Sequence, residues 1–219
     1  DGFGGCFNEL GAIALEHLSP AKQQEVYQAL FSQDQGCGFT FCRMPIGASD
    51  YAAQWYSHNE QDGDYEMAHF SIERDRKYLL PYIKEAKKWQ PDMALFASPW
   101  SPPTWMKTPK AYNYGRLRQE DQVLKAYALY FKKFVEAYEA EGIPIKQIHI
   151  QNEPFADQKF PSCLWRSEEF RVFIRDYLGP LFEKEGIQSE IWLGTLNGPT
   201  QMNFSMDGRI TIDLYDRYL

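Results

Sequence analysis

The chain alternates short apolar segments typical of buried β-strands with amphipathic segments typical of α-helices, and this alternation limits the folds available to it. The predicted strands lie at 1–9, 39–43, 93–98, 145–150 and 191–194. The predicted helices lie at 21–31, 72–88, 120–141 and 167–185, and one more begins at 211. Strands separated by helices form a parallel sheet through right-handed crossovers. The pattern therefore predicts an α/β fold.

Two of the predicted helices contain residues that interrupt helical structure. Pro81 lies inside the helix at 72–88 and is expected to kink or break it. Gly179 and Pro180 are expected to divide the helix at 167–185. Residues 51–70 are polar and aromatic without a period, which predicts a long loop, and loops of this length in compact domains usually carry function.

Composition narrows the class of ligand. The chain has 219 residues, a formal net charge of -7 and 16% aromatic residues. An acidic surface does not release counterions from phosphates, so no nucleic-acid partner is expected. Many aromatic rings suit an uncharged ligand with apolar faces, such as a sugar, and the alternative is a core that is simply rich in aromatic residues. No apolar run is long enough to span a membrane, and no signal peptide is visible.

No pattern for a metal or cofactor site occurs in the sequence. The cysteines include no CxxC pair and no zinc-type spacing with histidine; they are Cys6, Cys37, Cys42 and Cys163. Neither a GxGxxG motif nor a P-loop motif is present, so dinucleotide and P-loop functions lose their main support. We expect a domain without metal or cofactor, and whether cysteines of adjacent strands pair stays open.

The segment 148–154, with the sequence IHIQNEP, joins a buried strand to an acid. Pro154 donates no ladder hydrogen bond and is expected to hold Glu153 in an extended conformation. A carboxylate at the carboxyl end of a strand lies where (β/α) barrels carry catalytic groups. The alternative is that Asn152 and Glu153 simply cap a turn.

Polar and aromatic residues also follow the two preceding strands. Arg43 ends the strand at 39–43, and Asp50 lies in the segment that follows it. The two residues form either a structural ion pair or the polar floor of a pocket. Trp100 and Trp105 follow the strand at 93–98 in a loop that prolines make rigid. Two fixed tryptophans favour the wall of a sugar pocket over a plug at the end of a barrel.

Four sequence blocks together resemble glycoside hydrolase family 30, the glucosylceramidase-like retaining (β/α)8 barrels. They are DGFGGCFNE, FCRMPIGASDY, LFASPWSPPTWMK and YFKKFVEAYEAEGIPIKQIHIQNEP, which end at residues 9, 51, 107 and 154. The blocks occur in the family's order and spacing, and the resemblance runs from residue 1 to about residue 200. It implies an α/β fold, a (β/α)8 TIM barrel, of which about the first five β/α units are present as a single domain at 1–219.

The resemblance also implies roles for individual residues. Glu153 matches the general acid/base, and Asn152 matches the residue that hydrogen-bonds the sugar 2-hydroxyl. Trp100 and Asp50 match positions that line and hydrogen-bond the sugar pocket. Arg43 matches an arginine that orients the catalytic carboxylates.

A retaining glycosidase needs a second carboxylate about 5 Å from the acid as nucleophile. In this family the nucleophile ends the seventh strand, and only five strands are predicted here, so it is expected outside the chain together with a small side β-domain. The chain begins at Asp1 without methionine and ends at Leu219 inside a predicted helix, which predicts a segment of a longer protein.

The resemblance implies an enzyme that cleaves β-glycosidic bonds of a carbohydrate or glycolipid substrate, with glucosylceramide-like β-glucosides or β-1,6-glucan as the leading options. The alternative is a non-catalytic, incomplete barrel that binds carbohydrate. By family analogy, an extracellular, periplasmic or lysosomal setting is expected.

Overall fold

A computed structural model describes residues 2–196 of the chain, and a four-stranded parallel sheet lies at its centre. The strands are β1 (Phe41–Ile46), β2 (Ala94–Pro99), β3 (Gln147–His149) and β4 (Glu190–Trp192). They lie side by side in chain order, with Arg43 opposite Phe96 and Ala97 opposite Ile148. Consecutive parallel strands joined by helices form the wall of a (β/α) barrel, so the predicted fold class is confirmed.

The first predicted strand lies along the free edge of β1. The Arg43 N–H donates to the Gly5 carbonyl at 2.9 Å, and the Phe7 N–H donates to the Arg43 carbonyl at 2.8 Å. Cys6 and Arg43 form a parallel bridge. Residues 3–7 therefore add a fifth parallel segment to the wall.

The helices cover one face of this sheet. In chain order they are α1 (Glu9–Glu16), α2 (Pro20–Phe31), α3 (Glu73–Lys77), α4 (Leu79–Trp89), α5 (Asp121–Ala140), α6 (Ser167–Phe173) and α7 (Gly179–Glu185). A 3-10 turn at Thr104–Met106 precedes a short antiparallel hairpin of Lys107–Thr108 and Arg116–Leu117. This hairpin, which the sequence did not predict, lies in the loop region after β2.

Helix α5 supplies the largest part of the core. Its predicted apolar face is buried as expected, with Val123, Leu124, Tyr127, Phe131, Phe134, Val135 and Tyr138 all in the core. From β1, Met44 and Ile46 are completely buried on the helix-facing side of the sheet. Complete burial of a large apolar side chain contributes about 1.5–3 kcal/mol, so this layer fixes the sheet on which the strand ends are presented.

The other face of the sheet carries a row of rings across all four strands. Phe41 lies 5.2 Å from Phe96, Phe96 lies 4.6 Å from His149, and His149 stacks on Trp192 at 5.5 Å between ring centres. In a (β/α) barrel this is the face that points to the barrel interior. The rings therefore form one of its packing layers, directly below the strand ends.

Helix α1 was not predicted. Its first residue follows Asn8, whose side-chain oxygen accepts from the Gly11 N–H at 2.7 Å, as an N-cap does. The sequence does not predict this helix because only Glu9 and Ala12 are buried, so no apolar residues recur at helical spacing.

The predicted helix at 72–88 is interrupted, but not at Pro81. The break lies at Tyr78, between α3 and α4, and Pro81 lies in the first turn of α4. A proline there loses no intrahelical hydrogen bond, whereas its ring would clash with the Lys77 carbonyl if the helix ran on without a break.

The predicted division at Gly179 and Pro180 takes a different form. The helix passes through a π-helical turn at Ile174–Leu178 and continues as α7. The Gly179 N–H bonds to the Ile174 carbonyl, so the register shifts by one residue just before the proline, which has no N–H. The helix predicted from residue 211 lies outside the described residues.

Two further properties concern residues 2–196. All four cysteines are free thiols. In this part of the chain no helix is long and apolar enough to cross a lipid bilayer.

A matched pair of glycines tests the packing of the hairpin. Gly115 (φ 75°) lies in the loop that packs against residues 157–164, and a Cβ there would meet the Thr108 carbonyl at 2.4 Å. Gly142 (φ 78°) ends α5 with nothing within 4 Å of such a Cβ. We expect Gly142→Ala to lower the free energy of unfolding by about 1 kcal/mol and Gly115→Ala by about 3 kcal/mol, because only the second adds a backbone clash to the strain.

Urea denaturation of the two variants measures the difference. Equal losses would contradict the described packing of the hairpin.

Candidate active site

The guanidinium group of Arg43, which lies inside β1, reaches the ends of the next two strands. Its Nη2 donates to Ser98 Oγ at 2.7 Å and to Asn152 Oδ1 at 2.6 Å, and its Nε reaches Ser98 Oγ at 3.1 Å. Its carbon lies 4.2 Å from the centre of the Trp100 ring. Arg43 comes from β1, Ser98 from β2 and Asn152 from the segment after β3, so this single side chain fixes their relative positions.

These contacts also fix the orientation of the Asn152 amide. Arginine has only donors, so the atom facing it must be the amide oxygen. The amide nitrogen of Asn152 is then available as a donor on its other side. A hydroxyl oxygen of a ligand is a suitable acceptor for it.

The side chain of Gln151 links the segments after β2 and β3 beneath this edge of the sheet. This side chain is completely buried, and its Nε2 donates to the carbonyls of Trp100 at 2.7 Å and Asn152 at 2.8 Å. Its oxygen accepts from the Trp165 indole at 3.3 Å. With all its strong groups bonded, Gln151 makes a rigid base beneath Asn152 and Glu153.

Glu153 does not have the extended conformation expected before a proline. Its φ is 46°, in the left-handed region, and its N–H donates to the Thr195 carbonyl at 2.8 Å. The Asn152 N–H is held by the Pro99 carbonyl at 2.8 Å, so neighbouring strands fix the backbone on both sides. Such a conformation costs about 1–3 kcal/mol and persists only where the surroundings impose it. The half-buried Glu153 carboxylate receives no side-chain or backbone hydrogen bond from residues 2–196.

Asp50 lies exposed on the turn after β1. That turn is attached to α1 by two bonds, from the Leu10 N–H to the Tyr51 carbonyl at 3.0 Å and from the Ala53 N–H to Glu9 Oε2 at 2.6 Å. The buried Glu9 also pairs with Arg74 at 2.8 Å. Because Arg43 bonds to Ser98 and Asn152, no close ion pair of Arg43 with Asp50 forms among the described residues.

The two tryptophans of the proline-rich loop lie in different places. Trp100 is 6% exposed and packs under Arg43. Trp105 is 2% exposed, its indole donates to the Asn59 carbonyl at 3.1 Å, and its ring meets Tyr65 edge-on. The structure thus groups Trp100 with Arg43 and Asn152 and places Trp105 in the core, where no described contact joins it to them.

A buried lysine, not found from the sequence, anchors the loops around the site. The Lys107 ammonium donates to Ser101 Oγ at 3.0 Å and to the carbonyls of Tyr112 at 2.8 Å and Ser162 at 2.6 Å. Burial lowers the pKa of Lys107 to about 8. Three segments meet at this cation: the loop after β2, the hairpin loop and the segment after Glu153.

The electrostatics of the site follow from burial and from opposing charges. Burial lowers the pKa of Arg43, while the Cys6 thiol and the carboxylates of Asp50 and Glu153 oppose this shift. Burial also lowers the pKa of His149 to about 4, and the positive charge of Arg43 adds to the effect. The site is therefore a fixed cation that faces two carboxylates above a neutral imidazole.

This arrangement suits proton transfer to and from a neutral ligand. A half-buried carboxylate stands at the carboxyl edge of a parallel sheet, beside an amide donor of fixed orientation. Among residues 2–196 no group of three or more His, Cys, Asp or Glu side chains could hold a metal ion. A carboxylate in this position can give and take a proton.

Sequence reading missed Ser98, Gln151 and Lys107 because each acts through a partner distant in sequence. Ser98 meets a residue of β1, and Gln151 meets the carbonyl of Trp100. A polar residue at the end of an otherwise apolar strand, as in 93–98, is the one available signal for such a role.

Comparison with known families agrees with this geometry. The sequence profile described as the glycosyl hydrolase family 30 TIM-barrel domain matches residues 1–198. Putative glucosylceramidase 3 of Caenorhabditis elegans is 36% identical over 186 residues, which cover 82% of this chain and 35% of that protein. Lysosomal acid glucosylceramidase of Mus musculus is 32% identical over 188 residues, covering 82% and 36%. The chain thus spans about a third of the length of these relatives.

A solved structure matches the fold closely. The endo-beta1,6-glucanase BT3312 superposes with a TM-score of 0.88 at 29% identity, over 99% of this chain and 48% of that one.

The contacts of Arg43 predict its contribution to stability. In Arg43→Lys the fork that reaches Ser98 and Asn152 is lost, and their buried polar atoms lose partners. We expect the free energy of unfolding to fall by about 2 kcal/mol. Arg118→Lys is the control, because Arg118 makes a comparable fork to Glu120 near the surface and should lose less than about 1 kcal/mol. Equal losses in urea denaturation would show that Arg43 does not organise the strand ends.

The lowered pKa of His149 predicts a pH dependence. The unfolded chain takes up this proton near pH 6.5 and the folded protein only near pH 4, so the stability is full above pH 6.5 and falls as the pH drops towards 4. Between pH 7 and pH 4, we expect the free energy of unfolding to fall by about 2 kcal/mol less in His149→Gln than in the parent. Urea denaturation at both pH values checks this, with exposed His17→Gln as control. Equal falls in the free energy of unfolding of the parent and of His149→Gln would refute a neutral imidazole at this position.

Proposed function

The chain belongs to glycosyl hydrolase family 30, and from this premise we propose that Glu153 is the general acid/base of a retaining β-glycosidase. The observation that carries the proposal is the hydrogen bond from Arg43 to Asn152, which holds Asn152 and Glu153 at the carboxyl edge of the sheet. The carboxylate of Glu153 accepts no hydrogen bond and forms no close ion pair among residues 2–196, so it is free to act on a ligand.

Glu153 has two tasks in this proposal. In the first step its carboxylic acid gives a proton to the glycosidic oxygen while a nucleophile attacks the anomeric carbon and the bond to the leaving group breaks. In the second step its carboxylate takes a proton from the water that attacks the same carbon and releases the nucleophile. We expect the nucleophile to be a carboxylate at the end of a barrel strand outside this chain.

The other residues bind and orient the sugar. The amide nitrogen of Asn152, turned outward by Arg43, donates to the 2-hydroxyl of the sugar next to the scissile bond. Asp50, on a turn fixed by Glu9, accepts from further hydroxyls. Trp100 holds Arg43 from one side and offers its remaining edge to the sugar pocket. Trp105 supports the loop from the core and has no direct part in the proposal.

The proposed substrates are β-glucosides of a carbohydrate or a glycolipid. Relatives named for glucosylceramide and a structure named for β-1,6-glucan support both options. We also propose that this chain is part of one TIM-barrel catalytic domain whose last strands and side β-domain lie elsewhere. An exported or lysosomal location is proposed because the mouse relative is named as lysosomal.

Replacement of the acid tests the proposal in the full-length protein. Glu153→Gln keeps the size of the side chain but cannot donate the proton. We expect kcat/KM to fall about 100- to 10,000-fold for a β-glucoside with a poor leaving group. Glycosylation of the enzyme by a dinitrophenyl β-glucoside, which needs little acid assistance, should change much less. Azide should restore turnover of that activated substrate, because it needs no general base, and should give a β-glycosyl azide.

Glu136→Gln is the control. Glu136 lies on α5 and pairs with Lys132 at 2.7 Å, far from the strand ends in the fold. Unchanged hydrolysis of the poor substrate by Glu153→Gln would refute the assignment.

A further inference from the structure

Exposed aromatic residues gather on the loops that follow β1 and β2. Trp55 is 44% exposed and Tyr51 is 59% exposed in the first loop, and Tyr114 is 43% exposed in the hairpin loop after β2. Exposed rings mark a binding surface where they form a contiguous patch bordered by polar residues. None of these residues belongs to the acid/base assembly described above.

Trp55 is exposed, but contacts hold the residues on either side of it. On one side Arg74 donates to Gln54 Oε1 at 3.2 Å, and on the other the Ala48 N–H donates to the Tyr56 carbonyl at 2.9 Å. The Tyr56 hydroxyl also donates to the buried Asp75 at 2.6 Å. A ring carried on a segment that is held on both sides loses less conformational entropy when it binds a ligand.

Tyr112 meets Trp55 from the neighbouring loop. The two ring centres are 6.5 Å apart with planes at 69°, so the rings form the two sides of a shallow corner. The Tyr112 carbonyl accepts from Lys107 at 2.8 Å and from the Ser162 N–H at 3.0 Å. Because Ser162 belongs to the segment that follows Glu153, the corner is built onto the same loops as the proposed acid.

The charged groups around the corner are engaged in hydrogen bonds or an ion pair. Glu60 accepts from the backbone and hydroxyl of Thr104, and Lys110 pairs with Asp62 at 2.6 Å. Burial and the adjacent Glu60 raise the pKa of Tyr112, so its phenol stays neutral. The Glu60 carboxylate disfavours an anionic ligand at the corner, whereas two ring faces bordered by polar groups suit a neutral sugar.

We propose that Trp55 and Tyr112 form a saccharide-binding platform that holds a second sugar unit of a β-linked oligosaccharide, next to the unit held by Arg43, Asn152 and Asp50. This inference rests on the proposed function, because it extends the same cleft. It assigns the substrate class: a neutral chain of at least two sugars rather than a single glucoside. The polar border of the corner favours a sugar over a lipid chain.

The test compares substrates of different length in the full-length protein. We expect Trp55→Ala to reduce kcat/KM for a β-1,6-linked glucose tetrasaccharide about 10-fold more than for an aryl β-glucoside, mainly through a higher KM. Trp55→Phe should recover most of the loss because it keeps a ring. Trp89→Ala is the matched control, since Trp89 is a half-buried indole bonded to Gln24 in the helical layer. It should affect both substrates by the same factor.

A binding measurement separates this proposal from the proposed function. Calorimetric titration of the tetrasaccharide into Glu153→Gln, with and without Trp55→Ala, should show about 10-fold weaker binding when the indole is absent. Equal binding of the two proteins, or equal losses for both substrates, would overturn the platform while leaving the acid/base assignment intact. A loss confined to a lipid-linked glucoside would also overturn it and would identify a lipid contact. Activity of Glu153→Gln like that of the parent would overturn only the proposed function.

Discussion

The half-buried guanidinium of Arg43 is the group on which the rest of the site depends. Its bonds to Ser98 and Asn152 join β1 to the ends of the next two strands, and Trp100 covers one of its faces. A buried cation without such partners would be strongly destabilising. Its pairing therefore sets the spacing of the strand ends and the orientation of the Asn152 amide. The aromatic layer lies directly below this assembly.

A second consequence is the strained backbone of Glu153. The N–H groups of Asn152 and Glu153 bond to carbonyls of opposite neighbours, and Gln151 bonds beneath them. The chain can then place a carboxylate at the edge of the sheet in a conformation that a proline would otherwise oppose. Buried hydrogen bonds of the sheet compensate for the strain and hold the Glu153 carboxylate in one position. The chain belongs to glycosyl hydrolase family 30, and this membership is the basis for proposing that the carboxylate at this position is the general acid/base.

The sequence predicted the parts of the fold that depend on local period. The apolar face of α5 and the alternation of strands with helices could be read directly, because burial on one face leaves a repeat in the sequence. Helix α1 left none, since Asn8 starts it and only two of its residues are buried. At the site, residue types at strand ends indicated Arg43, Trp100 and Asn152 together. The left-handed Glu153, the separate place of Trp105 and the role of Lys107 depend on contacts between distant segments, which a single sequence does not encode visibly.

The configuration of the first sugar released by the full-length protein tests the central claim most directly. Two displacements at the anomeric carbon, with Glu153 acting first as acid and then as base, return the original configuration. Proton NMR during the first minutes of hydrolysis of a β-glucoside should therefore show the β-anomer before mutarotation produces the α-anomer. Initial release of the α-anomer would mean a single displacement and would contradict the role assigned to Glu153.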